Sequence, residues 1–333
     1  MYEEIKLDKS LYNLAGKSFT AALSALDSDE QYKGTELEGL DAFERQLKRF
    51  NIRVSGRNSD KVEKFFQTSE SASLFPEFVA RAVKQGISES NIIPEIVAAT
   101  THITGYDYRS ITTIPSSDDV RMQNVAQGAT IPATDILLNQ DLVSLTKRGR
   151  MLRVSYEAIR QQRLDLFAVT LRQIGMAIAK EQLKDALKIV INGNTTVSAA
   201  ESFSIEGDDL TYSDLIKFWS KFEDMNLTTM LVSPSTMSKI LDLSEVRDKF
   251  NGEYMTSGKI VLPFGTTLVK TTCLNDNTIV GLDKSCALEM VVAQDLQLES
   301  DKLIDRQLER TAITSIAGFS KIFTGASKVL SLI

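Results

Sequence analysis

The chain has 333 residues, of which 25% are charged and 43% hydrophobic, so it has the composition of a globular protein with one large domain or two ordinary ones. Lys and Arg number 38 against 44 Asp and Glu, and the net charge of -6 disfavours a surface that binds nucleic acid all round, while it allows a local basic stretch. One His and two Cys are too few for the usual His-based triads and His/Cys metal clusters, so we expect no cofactor and no metal.

The cysteine count and the N-terminus indicate where the chain folds. Two Cys near the C-terminal end do not form a secreted disulfide framework, and the acidic start Met1-Tyr2-Glu3-Glu4 lacks the apolar region of a signal peptide. No apolar run approaches the roughly 18 residues needed to cross a bilayer. We therefore expect a protein that folds in a reducing cytoplasm.

The first 66 residues have near-helical apolar spacing and many charges. The charges between 45 and 64 are mostly basic, which is typical either of a solvated helix face or of an arm that lies against a polyanion or an acidic partner. The basic residues concerned are Arg45, Lys48, Arg49, Arg53, Arg57, Lys61 and Lys64.

Residues 103–154 change from helical spacing to the alternation of strands. Two long strands flank a polar segment, 116–135, that contains Gly128 and Pro132 and is too long for a tight turn. Such a hairpin has little apolar surface of its own to fold around. We expect it to project from the body and to be held by a neighbour.

Residues 155–191 predict one long helix, with Ser155 as its cap and an apolar stripe from Phe167 to Ile191. At about 1.5 Å per residue its 37 or so residues would extend about 55 Å, which indicates a spine to which other layers attach. Asn192-Gly193-Asn194 is a typical C-terminal cap.

Residues 195–292 alternate short helices and strands. We expect helices over 212–222 and from Ser233 to 243, a buried strand at 230–232, and a last long strand or ribbon from Leu298. Further short strands are predicted over 259–262, 266–272, 278–282 and 288–292.

The chemistry-bearing residues give no enzyme signature. His102 has the pattern of a strand residue, and Cys273 and Cys286 have that of buried inert thiols. The carboxylates do not follow the spacing of an EF-hand loop, and the glycines form neither a P-loop nor a GxGxxG turn. We predict no catalytic, cofactor-binding or metal-binding residues.

Three sequence segments follow one another in the order Gln127-Gly128-Ala129-Thr130-Ile131-Pro132-Ala133, then Leu142-Val143-Ser144-Leu145, then Arg150-Met151-Leu152-Arg153-Val154-Ser155-Tyr156-Glu157. In this order they resemble the major capsid proteins of tailed bacteriophages, the Hong Kong 97-like family. Leu74-Phe75-Pro76-Glu77-Phe78 and Gly258-Lys259-Ile260-Val261-Leu262-Pro263-Phe264-Gly265 fit the same order, which extends from Ser69 to the C-terminus. The sequence departs from the family at Gln127, where a glutamate usually stands, and in its long N-terminal segment.

The resemblance implies an α+β Hong Kong 97-like capsid fold with an N-terminal arm, an extended β-hairpin loop, a long spine helix, and peripheral and axial domains. The helical arm would be 1–68 and the extended loop 103–154. The peripheral domain with the spine helix would comprise 69–102, 155–194 and 294–333, and the axial domain 195–293.

The resemblance also implies the partners: further copies of the chain in pentamers and hexamers, with scaffold, portal and decoration proteins as candidates and packaged DNA held by non-specific contact. Assembly would take place in the host bacterial cytoplasm, with no membrane, and the product would be a virion. The basic residues of 45–64 would face DNA or the inner shell. Charged residues at expected subunit edges are candidate contacts: Arg109, Arg121, Lys147, Arg148, Arg306, Glu309 and Arg310.

Some members of the family cross-link their subunits through a lysine on the extended loop. Here no lysine lies between Lys84 and Lys147, so the loop tip cannot supply the amine. We therefore expect a shell without that covalent link.

Two alternatives stay open from the sequence. An encapsulin, a bacterial compartment that encloses cargo enzymes, would share the fold and would contain protein instead of DNA. A soluble enzyme that uses carboxylates would be a stable monomer or dimer with a pocket of acidic residues, which the long unsupported hairpin disfavours.

Overall fold

A computed structural model describes most of the chain in two compact units. The first unit comprises Met1–Asn91, Arg148–Ala179 and Leu296–Ser315, and the second comprises Ile92–Lys147, Lys180–Asp295 and Ile316–Ile333. The described residues are 5–13, 19–112, 122, 124–131, 137–138, 141–155, 157, 161–194, 197–205, 210–247, 260–303 and 308–332.

Helices and strands alternate in an α+β order. The helices are α1 (Phe19–Leu26), α2 (Ala42–Arg49), α3 (Ser69–Ser73), α4 (Phe75–Ser90), α5 (Leu164–Asn192), α6 (Tyr212–Ser220), α7 (Pro234–Asp242) and α8 (Ser244–Arg247). The strands are β1 (Ala99–His102), β2 (Ile111–Thr112), β3 (Leu137–Leu138), β4 (Leu145–Ser155), β5 (Glu201–Ile205), β6 (Thr229–Val232), β7 (Ile260–Val261), β8 (Thr267–Lys270), β9 (Thr278–Leu282), β10 (Leu288–Leu303), β11 (Leu308–Lys321) and β12 (Ser327–Leu332). They form a four-stranded sheet in the order β1-β10-β11-β4, a six-stranded sheet in the order β5-β12-β9-β6-β8-β7, and the pair β2-β3.

The core of the first unit contains much of the N-terminal segment. Apolar side chains of α1, α2 and the turn before α3 pack with α4 and with the first half of α5. Phe75 and Phe167 stack with ring centroids 6.0 Å apart, and Phe65 meets Phe75 edge-on at 5.7 Å. The buried residues of this core include Phe19, Leu23, Phe43, Leu47, Val62, Phe65, Phe75, Phe78, Leu164, Phe167 and Leu171.

The long helix begins later than the sequence predicted. Ser155, expected as its cap, is the last residue of β4, and the continuous helix α5 has 29 residues, about 44 Å at 1.5 Å each. Its end is confirmed: Gly193 has a φ of 65°, the left-handed conformation that glycine adopts at low cost, and its N–H bonds Ile189 O at 3.1 Å.

A distant segment of the chain holds the start of α5. Leu164 N donates to Asp60 O at 2.9 Å, and Asp165 N donates to Ser59 Oγ at 3.0 Å. These contacts satisfy N–H groups that have no partner inside a helix. Because residues 59 and 60 lie about a hundred positions earlier, local sequence around 155–164 could not reveal this boundary.

The central six-stranded sheet of the second unit is covered on both faces. On β6, Leu231 packs in the core that contains Leu187 of α5, whereas Met230 and Val232 pack in the core that contains Phe218 of α6. A strand covered on both faces is apolar at successive positions. This arrangement confirms the predicted buried strand, and α6 and α7 confirm the two predicted helices beside it.

The predicted hairpin legs pair only through two short strands, with Ile111 of β2 opposite Leu138 of β3 in antiparallel register. The prediction of a long first strand is wrong over 103–110, which form no strand because the hydroxyls of Tyr108 and Ser110 turn back to bond Glu289. Of the predicted polar tip 116–135, only 122 and 124–131 are described. The strand predicted over 288–292 is longer than expected, because β10 continues to Leu303. Beyond it, β11 and β12 replace the single last strand or ribbon that was predicted from Leu298.

Lys321, the last residue of β11, is a buried cation whose removal we expect to stabilise the chain. Its side chain is 2% exposed, and Nζ donates to Ser198 O at 2.8 Å. Burial lowers the pKa of Lys321 to about 8. Below that pH the folded and unfolded chains both carry the proton, and the cost of burying the charge is fully present. Between about 8 and the ordinary value of 10.5 the unfolded chain binds more protons, so the free energy of unfolding rises with pH.

Lys321→Met removes this buried charge at nearly constant volume. We expect its free energy of unfolding to exceed that of the wild type by about 2 kcal/mol near neutral pH, and the gap to narrow above about pH 9. Thermal unfolding at several pH values measures both effects. Lys328→Met, which removes a partly exposed amine paired with Glu201, serves as the control. A gap that stays constant across this range would show that burial does not depress the pKa of Lys321.

Candidate functional site

The base of the predicted loop lies against a buried carboxylate. Glu289 on β10 is 7% exposed. Its Oε1 accepts hydrogen bonds from Thr101 Oγ1 and Tyr108 Oη, each at 2.6 Å, and its Oε2 accepts one from Ser110 Oγ at 2.5 Å. On the returning leg, Val143 N donates to Tyr108 O at 2.8 Å. Burial and then the bond to Glu289 raise the pKa of Tyr108, so its phenol keeps the proton that it donates.

Sequence reasoning missed Glu289. The available signal was a single carboxylate within the apolar run Leu288-Glu289-Met290-Val291-Val292. A carboxylate in a buried strand requires hydrogen-bond donors. Those donors lie 179 to 188 residues earlier, so the chain alone could not identify them.

The described part of the loop tip presents apolar side chains to solvent. Met122 and Ile131 are 101% and 75% exposed, and Val125 is also exposed. Gly128 has a φ of 83°, a left-handed conformation that a residue with a side chain would adopt only with strain. Exposed apolar side chains grouped in one segment are typical of a surface that contacts another protein.

A second group of exposed apolar side chains lies on α6. Ile216 and Trp219 of α6 are 41% and 44% exposed, and the Trp219 ring lies 6.1 Å from that of Phe264. Helical spacing predicted that α6 is amphipathic, but it did not predict that the Trp219 side chain is exposed.

One of the seven basic residues predicted to face DNA or the inner shell is a core residue. Arg45 is 1% exposed, with Nε 3.0 Å from Asp27 Oδ2 and Nη1 2.8 Å from Asp29 Oδ1. Burial alone would lower the pKa of Arg45, but the bonds to both aspartates outweigh it and the pKa is raised. The prediction is therefore wrong for Arg45, because its charge is used inside the first unit.

The other six basic residues differ in their exposure and in whether their side chains are bonded to other groups of the first unit. Lys64 Nζ is 3.0 Å from Asp60 Oδ2, and Arg49 donates to Ile5 O at 2.8 Å and lies 3.6 Å from Glu70. The exposed ones are Lys48, Arg53, Arg57 and Lys61.

The predicted subunit contacts lie in different environments. Arg109 and Lys147 are exposed and Arg148 is half-buried, while Arg310 Nη2 bonds Asp301 Oδ2 at 2.7 Å. Glu309 lies on β11, and its side chain is outside the described residues. Arg121 and Arg306 also lie outside the described residues.

His102 lies beside an exposed carboxylate, and the two cysteine thiols are half-buried. His102 Nε2 is 3.5 Å from Asp295 Oδ1, and both side chains are exposed. Cys273 and Cys286 are half-buried free thiols, and burial raises the pKa of Cys286. Within the described ranges, no group of three or more His, Cys, Asp or Glu side chains could hold a metal ion. Nor does that part of the chain contain a helix with the length and apolar character of a membrane span.

Comparisons with known proteins identify similar chains. The sequence model of the family described as phage capsid protein matches residues 139–319. No curated protein matches the sequence. Among solved structures, the chain is similar to the capsid of the cyanophage P-SCSP1u, with 15% identity and a TM-score of 0.52 over 72% of this chain and 88% of that chain.

Two further structures come from other kinds of particle. The capsid of a native GTA particle has 10% identity and a TM-score of 0.53 over 71% of this chain and 88% of that chain. The virus-like particle from Pyrococcus furiosus has 14% identity and a TM-score of 0.51 over 77% of this chain and 98% of that chain. At these identities the likeness concerns the fold.

Proposed function

The chain belongs to the phage capsid protein family, and we propose that it is the major capsid protein that assembles into an icosahedral phage head around double-stranded DNA. It has the α+β Hong Kong 97-like capsid fold that the sequence resemblance implied. It is a structural capsid protein whose place is the virion shell, and its fold is that of chains that form assembled particles. Assembly in the host bacterial cytoplasm, and scaffold, portal and decoration proteins as partners, belong to the proposal.

The loop is the observation that carries this proposal. Its first leg is fastened to β10 by the Glu289 hydrogen bonds and its second leg to the first through Val143, while Met122, Val125 and Ile131 stay exposed. Covering these side chains with a second copy of the chain would remove apolar surface from water in every repeated contact. Many equal contacts related by symmetry can close a shell although each one is modest.

The domain roles follow from the same proposal. We assign 103–154 to the extended loop over a neighbouring subunit, and 195–293 to the axial domain around the centres of pentamers and hexamers. The peripheral domain would comprise 69–102, 155–194 and 294–333, with α5 as its spine. Residues 1–68 would be the arm, retained in the particle and packed into the first unit.

The test of the function is electron microscopy of the purified protein, together with its absorbance ratio for nucleic acid. We expect closed shells, or rings of five and six subunits. Replacing Met122, Val125 and Ile131 with serine should lower the yield of shells, whereas Leu26→Ser, at an exposed apolar position on α1, should not.

The possible outcomes separate the alternatives. Shells that contain protein and no nucleic acid would favour an encapsulin-type compartment. Monomers that persist after co-expression with the neighbouring genes would contradict the shell.

The exposed basic residues of the first unit are proposed to contact DNA. Neutralising Lys48, Arg53, Arg57 and Lys61 with glutamine should make the dependence of DNA affinity on salt less steep by about 3 to 4 in the log-log slope, since each lost phosphate contact accounts for about 0.9. Titration of double-stranded DNA at several salt concentrations measures the slope. A control with the same charge change neutralises exposed basic residues of the second unit: Lys188, Arg247, Lys239 and Lys270. Equal slopes for both variants would show that these four residues are solvated surface charges without a role in DNA binding.

A further inference from the structure

The path of the chain at the loop base explains why one carboxylate meets three hydroxyls. β1 runs parallel to β10, with Ala99 opposite Glu289, and this ladder continues to Ile103 N, which donates to Val292 O at 2.9 Å. The chain then leaves β10 and returns, so that Tyr108 and Ser110 reach back to Glu289. Glu289 therefore holds the chain on both sides of the point where the loop departs.

The second leg is fastened through the first. Val143 N bonds the carbonyl oxygen of Tyr108, whose phenol bonds Glu289. Val143 is itself 7% exposed, and Ser110 is 1% exposed. The hydrogen bonds from Thr101 through Glu289 to Tyr108 and Val143 thus connect β1, β10 and both legs of the loop.

We propose that Glu289 is a positioning residue that fixes the direction in which the extended loop departs from the β1–β10 ladder, and thereby sets the geometry with which the loop meets a neighbouring subunit. The proposal rests on the assembly function proposed above. A buried carboxylate suits this role because it only accepts hydrogen bonds, and its two oxygens can serve three hydroxyl donors at once. Bonds to a charged acceptor are also shorter and stronger than those between neutral groups.

Glu289→Gln tests the role at nearly constant volume. The amide has one accepting oxygen, and its NH2 group donates where Oε2 accepted, so Ser110 can no longer donate to this position and the remaining bonds lose their charged acceptor. We expect amide hydrogen exchange in peptides covering 103–112 and 141–145 to become at least about tenfold faster. Peptides covering β6 and α7, in the same unit, should exchange as in the wild type.

Matched variants separate positioning from general destabilisation. Tyr108→Phe and Ser110→Ala each remove one donor, and we expect each to accelerate exchange about fivefold in the same peptides. Glu201→Gln makes the same chemical change at an exposed residue of the second unit that pairs with Lys328, and it should leave those peptides unchanged. Faster exchange throughout the second unit in Glu289→Gln would overturn the positioning role, and so would unchanged exchange at the loop base.

Assembly provides the second measurement. With the loop direction released, we expect Glu289→Gln to form fewer closed shells, by about tenfold, and more open or irregular particles, although its second unit stays folded. Normal shells together with faster local exchange would show that loop direction does not control assembly, and would overturn the proposal. If the wild-type chain forms neither shells nor rings, even after co-expression with its neighbouring genes, the proposed function fails, whereas the exchange experiment still reports whether Glu289 holds the loop.

Discussion

Gly175→Ala is expected to destabilise the first unit by about 3 kcal/mol or more, because α4 and α5 cross there with their backbones in contact. A Cβ atom at Gly175 would lie closer than 3.0 Å to the backbone of Val83 and Ile87, and one at Gly86 would be equally close to the backbone of Arg172. Rotation of a side chain cannot relieve a clash with backbone atoms. The helices would have to separate, which opens the core around Phe78 and Leu171.

Urea unfolding followed by far-ultraviolet circular dichroism measures the loss. Gly86→Ala should behave in the same way, and Gly325→Ala, which has no atom within 4 Å of its new Cβ, is the control. Alanine is the better helix former by about 1 kcal/mol, so stability equal to or above that of the wild type would show that the helices adjust without cost.

Arg45→Met is expected to cost about 3–5 kcal/mol, because it leaves the buried carboxylate of Asp27 without its cation. Arg45 Nη2 also donates to Asp27 O at 2.7 Å, and its guanidinium lies 4.4 Å from the centre of the Tyr32 ring. Both contacts are lost with the charge.

Two comparisons identify the cause of that loss. Lys48→Met changes an exposed residue on the same helix and should stay within about 0.5 kcal/mol of the wild type. Adding Asp27→Asn to Arg45→Met should recover part of the stability, because the remaining buried group is then neutral. If the double variant were no more stable than Arg45→Met, lost packing would explain the effect instead of the unpaired charge.

Periodicity and turn chemistry predicted the elements whose determinants are local. The run that forms β6, the helix that opens at Ser233, the stripe of α5 and the glycine after it were all correctly located. Each depends on residues within a few positions, so a single stretch of sequence contains the whole signal. The order of these elements also supported the family resemblance.

The misplaced features depend on distant residues. Ser155 has the side chain of a cap, but the chain there continues β4 beside β11, and α5 begins where Ser59 and Asp60 meet its N–H groups. Arg45 has the charge of a surface residue, yet it is buried and forms ion pairs with Asp27 and Asp29. In each case a contact with a residue distant in the sequence outweighed the local propensity.

The sequence by itself therefore determined the fold class, the order of the elements and the family, since composition, spacing and short motifs encode these directly. Only the tertiary structure decided which charges are free, where helices touch, and what fastens the loop. Glu289 shows the physical reason: a buried carboxylate is stable only with donors around it, and its donors Thr101, Tyr108 and Ser110 become neighbours when β1 pairs with β10.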